Sequence, residues 1–200
     1  GIVVFAHGSG SGRFSPRNNV VARYLQQGHV ATLLLDLLTP DETDDRRKVF
    51  NIDLLADRVL LAKSWLEQDD RTKSLGIGYF GASTGAGAAL QAAARDPSSI
   101  RAVVSRGGRP DLAEPYLSSV TAPTLLIVGG DDEPVIEMNR TASRLLACQK
   151  RLVIVPGASH LFEEPGTLEQ VSEQALAWFQ HYFLSDPHDG GVATIKESHR

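Results

Sequence analysis

A chain of 200 residues with 24 acidic and 20 basic side chains, net charge −4, holds one domain's worth of apolar material and no broad cationic face. Nucleic acid is thereby excluded as the main partner, because phosphate backbones are met by clustered Lys and Arg. No apolar run approaches the ~18 residues of a membrane span, no basic-then-apolar signal opens the chain, and the one cysteine, Cys148, excludes an internal disulfide or a multi-cysteine metal site; a reducing cytoplasm is the expected setting.

The chain opens on Gly1 rather than Met, as expected of a piece of something longer. Its first apolar run, 2–6, leads into the glycine-rich loop His7-Gly8-Ser9-Gly10-Ser11-Gly12, and a second run, 31–35, ends at Asp36. Strand, glycine loop and strand-end acid imitate a dinucleotide site, but Arg13 stands where the third glycine belongs, so a dinucleotide-binding protein is only a minor alternative. The stretch 39–51 is long and charged and reads as a solvated rim. Positions 52–66 then place Ile52, Leu55, Val59, Ala62 and Leu66 near a helical period.

A third run, 75–80, passes through Gly81-Ala82-Ser83-Thr84-Gly85 into 86–94, a helix former packed with small side chains. The fourth, 100–104, ends in Ser105-Arg106-Gly107-Gly108-Arg109-Pro110, and the segment from there to 124 is too short for a large lid, so an open site is expected. The fifth, 124–128, meets Gly129-Gly130-Asp131-Asp132-Glu133-Pro134-Val135 and a helix predicted over 139–147; the sixth, 152–155, meets Pro156-Gly157-Ala158-Ser159-His160. A last helix spans 168–183. None of the six runs alternates, as strands covered on both faces should not. The pattern predicts an α/β fold over 1–184, with an open, mostly parallel six-stranded sheet, helices on both faces, and 185–200 as a tail.

G-x-S-x-G between a strand and a helix forces its serine into a strained turn that lifts the hydroxyl off the sheet, marking Ser83 as a nucleophile. The bland alternative is a serine that merely caps the helix. A serine needs an adjacent imidazole to take its proton. His160 is the best placed of six histidines, on the strand-end edge where open parallel sheets gather their ligands. His7 is the next nearest, while His29, His181, His188 and His199 lie elsewhere along the chain. The acid that orients His160 is Asp131 or Asp132, which chemistry alone does not separate. Thr84 and Ser9 supply the two backbone N–H groups that an oxyanion requires. Arg106 and Arg109 are candidates to clamp an anionic substrate, with loop stapling as the plain alternative for them and for Arg13 and Arg17.

HGSGSGRFSPRN (7–18), GYFGASTGAGAAL (78–90), VVSRGGRPDL (103–112), PTLLIVGGDDEPV (123–135) and VPGASHLFEEPG (155–166) together resemble the α/β-hydrolases, and among them the dienelactone hydrolase family, in a branch sometimes joined to phosphoribosyltransferase domains. The resemblance implies the acid motif G-x-x-D-x-x-V on Gly129, Asp132 and Val135, which selects Asp132. It also implies sheet order 2-1-3-4-5-6, two family strands missing before the first, a small acyl substrate and no metal or organic cofactor. Dienelactone hydrolase proper is similar in fold but uses a cysteine nucleophile. Here Ser83 holds that position, and Cys148 reads as helical core. The implied activity is hydrolysis of a small carboxylic ester, lactone or thioester by Ser83, His160 and Asp132, the alternative being a non-catalytic binding module.

Overall fold

A computed structural model describes residues 1–184; the predicted tail at 185–200 lies outside the described residues. Six strands form one parallel sheet in the order β2-β1-β3-β4-β5-β6, as predicted. They are β1 (Ile2–Ala6), β2 (Ala31–Leu34), β3 (Ile77–Ala82), β4 (Ile100–Arg106), β5 (Thr124–Gly129) and β6 (Lys150–Val155). The four central strands are almost wholly buried, which is why their sequences run apolar without alternation.

The pleat sends neighbouring residues to opposite faces. Val4, Tyr79, Val103 and Leu126 pack with helices α4 (Ile52–Gln68) and α5 (Thr84–Arg95), whereas Val3, Phe80, Val104 and Ile127 pack with α1 (Pro16–Gln27) and α7 (Thr167–Leu184). The predicted rim at 39–51 instead folds as two short helices, α2 (Pro40–Thr43) and α3 (Arg46–Val49). Local caps make this possible: the Glu42 carboxylate accepts from Thr39 N–H at 2.9 Å, and Asp45 accepts from Arg47 N–H at 2.9 Å. Helix α6 spans Glu133–Leu145, beginning earlier than predicted because Pro134 in its first turn starts the helix directly at the acid-bearing turn. Cys148 therefore lies past the helix end rather than inside it, half-buried, with its thiol 3.7 Å from Thr124 Oγ1.

The turn at Ser83 depends on close approach of backbone to backbone. A Cβ at Gly85 would overlap the carbonyl oxygens of Ala6 and His7, and one at Gly81 would overlap the backbone of Ala86. Neither obstacle is a side chain that can turn away. Gly85→Ala is accordingly expected to lower unfolding free energy by about 3 kcal/mol, measured as a shifted urea midpoint at unchanged slope. A variant as stable as the parent would mean that the helix sits farther from β1.

Candidate active site

Ser83 stands between the last residue of β3 and the first of α5 with φ 51° and ψ −121°, a region that L-residues occupy only under constraint. Its side chain does not cap the helix, which removes the bland reading of the motif. Three backbone contacts hold the turn. Ser83 N–H donates to the Arg106 carbonyl at 3.2 Å, while its own carbonyl accepts from Ala86 N–H and Arg109 N–H, both at 3.0 Å. Ser83 is half-buried, and its hydroxyl makes no hydrogen bond among the described residues.

The histidine and the acid expected from the sequence meet. His160 Nδ1 lies 2.6 Å from Asp132 Oδ2, with Asp132 mostly buried and the imidazole about one-third exposed. A carboxylate only accepts, so Nδ1 carries a proton, and it is Nε2 that holds the lone pair in the neutral form of the ring. Asp131, the alternative acid, is exposed, and its backbone N–H donates to Ala158. The loop bearing His160 is pinned by buried Phe162, itself at φ 56°, and by Glu164, whose carboxylate accepts from Ser159 N–H at 3.0 Å. That bond holds the Glu164 carboxyl below its usual range. His160 packs over Gly107, the residue after the one whose carbonyl holds Ser83. Buried Asn139 of α6 donates to the Gly108 carbonyl at 3.0 Å, tying this turn to the helix that begins beside Asp132.

His7 is not free to act as a base. Its Nε2 accepts from Leu37 N–H at 2.9 Å, and Nδ1 donates to the Gly8 carbonyl at 2.9 Å. Both nitrogens are committed to shaping the glycine loop. That loop lies against the nucleophile, since a Cβ at Gly8 would stand 3.1 Å from Ser83 Cβ. Ser9 and Thr84 line one cavity of about 240 Å³ together with Leu38, Thr43, Val49 and Leu55. Thr43 and Val49 come from α2 and α3, so the stretch expected to be a solvated rim walls the pocket. Its charges are real, and the signal that could have separated it from a floppy loop was the capping spacing of Thr39 with Glu42.

The four arginines divide. Arg13 pairs with Asp36 at 2.8 Å, and its backbone N–H donates to the same carboxylate at 2.7 Å, so the acid that imitated a ribose ligand staples the glycine loop. Arg109, expected to clamp substrate, is held in a fork by Asp111 at 2.9 and 2.7 Å, and is accordingly a loop staple. Arg17 reaches Glu163 at 3.2 Å. Arg106 is buried, and among the described residues it has no ion pair and its Nε and Nη1 have no hydrogen-bond partner. Burial, reinforced by the charge of Arg17, pulls its guanidinium down to about 10, which leaves it cationic at neutral pH.

The dienelactone hydrolase family model matches residues 1–183. A crystallised dienelactone hydrolase from Anabaena variabilis is 59% identical, with TM-score 0.89, over 92% of this chain and 87% of that one. Est1E of Butyrivibrio proteoclasticus, 18% identical, shares the fold at TM-score 0.79 over 92% and 88% of the two chains. A Mycobacterium tuberculosis (strain H37Rv) protein with the provisional name phosphoribosyl transferase is 60% identical over 90% of this chain. This chain spans only 40% of the length of that relative. No described helix is long and apolar enough to cross a membrane.

Proposed function

This chain belongs to the dienelactone hydrolase family, and on that premise we propose that it is a serine hydrolase that cleaves a small carboxylic ester, lactone or thioester through an acyl-enzyme. The observation that carries the proposal is the 2.6 Å bond from His160 Nδ1 to Asp132, on the same sheet edge as a serine held at φ 51°. That bond leaves Nε2 as the only imidazole nitrogen able to accept a proton.

In the proposed reaction, Ser83 Oγ attacks the acyl carbon as its proton passes to His160 Nε2. The backbone N–H groups of Thr84 and Ser9 receive the developing oxyanion, helped by the positive end of α5. The imidazolium, stabilised by Asp132, then protonates the leaving oxygen or sulfur. Water activated by the restored imidazole releases the acid and regenerates Ser83. The link from serine to histidine belongs to the proposal, and such bonds often tighten only when substrate is bound. A non-catalytic binding module is the second reading, favoured by the unbonded Ser83 hydroxyl. The phosphoribosyl transferase name belongs to proteins more than twice this length and is not carried over.

The cavity of about 240 Å³ closes on Leu38, Val49 and Leu55, so acyl chain length is the natural probe. Purified protein is expected to hydrolyse p-nitrophenyl acetate and butyrate with saturable kinetics and to discriminate against the palmitate. Absence of turnover across esters, lactones and thioesters would favour the binding module.

A further inference from the structure

The stretch 39–51 is bracketed by buried Leu37 and Leu38 on one side and buried Ile52 on the other, yet no residue between them is itself buried. Val49 packs, half-buried, against the core. A segment with so little apolar surface out of water has a weak grip on the body of the protein, and its position is set by polar contacts. Those contacts converge on Glu42, whose side chain is 14% exposed. Its Oε2 accepts from Thr39 N–H at 2.9 Å and closes the start of α2. Its Oε1 faces Arg58 of α4 at 3.3 Å and Lys48 of α3 at 3.7 Å. One carboxylate therefore ties α2 to α3, and both to α4. Asp45 instead binds Arg47 within α3 and ties nothing across.

What this tie holds in place is a wall of the cavity. Thr43 of α2 and Val49 of α3 line the same space as Ser9 and Thr84, whose N–H groups are the proposed oxyanion donors. At about 240 Å³ it is smaller than the roughly 300 Å³ at which sites for drug-sized ligands begin. A substrate whose carbonyl lies at those donors must fit its apolar group among Leu38, Leu55 and Val49. Leu38 and Leu55 belong to the buried core, whereas Val49 rides on a segment held by charge. We infer that Glu42 is a positioning residue for substrate size: by holding α2 and α3 against α4 it keeps Val49 in the cavity wall and limits the protein to short acyl groups. Glu42 does not line the cavity and acts through Val49. This inference deepens the hydrolase reading and rests on it.

The test, on the whole chain, compares kcat/KM for p-nitrophenyl butyrate with that for p-nitrophenyl laurate. The parent protein should prefer butyrate by about 100-fold or more, a discrimination within reach of a pocket that excludes added methylenes. Glu42→Gln keeps an acceptor for Thr39 N–H and removes the charge. The preference should then fall by about tenfold or more, through a lower KM for laurate rather than a change in kcat. Arg58→Gln cuts the same tie from α4, leaves the start of α2 untouched, and should do likewise. The double variant should add little, because one interaction is lost only once. Val49→Ala shortens the wall directly and should lower the preference with the charges in place. A parent protein that takes both esters equally, or a preference that survives intact in either folded charge variant, overturns the inference. If no ester of any length is cleaved, the hydrolase reading fails, and the thermal midpoint in sodium octanoate decides the wall. A larger rise in Glu42→Gln than in the parent supports it, and equal rises overturn it.

Discussion

Ser83→Ala is expected to lower kcat by roughly 10⁶, the scale on which removal of a triad nucleophile acts. The loss follows from the chemistry: without the hydroxyl no acyl-enzyme forms, and only the oxyanion donors and binding contacts remain to accelerate attack by water. Among the described residues, neither His7 nor Cys148 is placed to stand in for the relay. His7 has both nitrogens engaged, by Leu37 N–H and the Gly8 carbonyl, and Cys148 lies on β5's neighbour loop with its thiol at Thr124. Stability should change little. The hydroxyl makes no hydrogen bond to lose, and the turn is held by backbone contacts that alanine keeps. Ester hydrolysis by the folded variant at a tenth of the parent rate would mean that another group carries the reaction.

Asp132→Asn should lower kcat by about 10⁴ while the fold persists. The carboxylate only accepts, and its 2.6 Å contact fixes the proton on His160 Nδ1. An amide can instead donate to Nδ1, moving the imidazole proton to Nε2, where it blocks proton transfer from serine. Although Asp132 occupies the position before α6, its side chain makes no capping bond there, so the loss is one of orientation rather than of helix stability. The neighbouring Asp131→Asn is the control. Asp131 is exposed and contributes its backbone N–H to Ala158, and its replacement should leave kcat within about twofold, as surface changes usually do. Equal losses in the two variants would contradict the assignment of the acid.

The sheet was legible because each strand holds a short apolar run and four of the six run straight into His7, Asp36, Gly81 or Gly129; the parallel sheet and the edge that gathers its loops follow from the strand–helix alternation, whereas the strand order came with the family resemblance. That His160 should meet Asp131 or Asp132 was legible from their places just beyond two strands, which the structure shows to be neighbours paired in register from Thr124–Lys150 to Gly129–Val155; the choice of Asp132 came from the family's acid motif. What sequence alone left open was settled by hydrogen bonds between distant segments. Arg106 and Arg109 are three residues apart, and no pattern in the sequence distinguishes them; Asp111, two residues on, claims Arg109, while Arg106 ends β4 and the strand pleat buries it. His7 resembled a spare base until its partner proved to be a backbone N–H thirty residues along the chain. The stretch 39–51 read as solvent-facing because its charges outnumber its apolar residues, yet Thr43 and Val49 line the cavity.

Incubation with a fluorophosphonate followed by peptide mass mapping tests most directly whether residue 83 is an activated nucleophile. A serine whose proton is drawn off by His160 should be modified stoichiometrically, once per chain, with the added mass on the peptide holding Ser83 and with labelling slowed sharply in Asp132→Asn. A folded protein that takes up no label, or takes it on a different residue, would contradict the serine-hydrolase assignment.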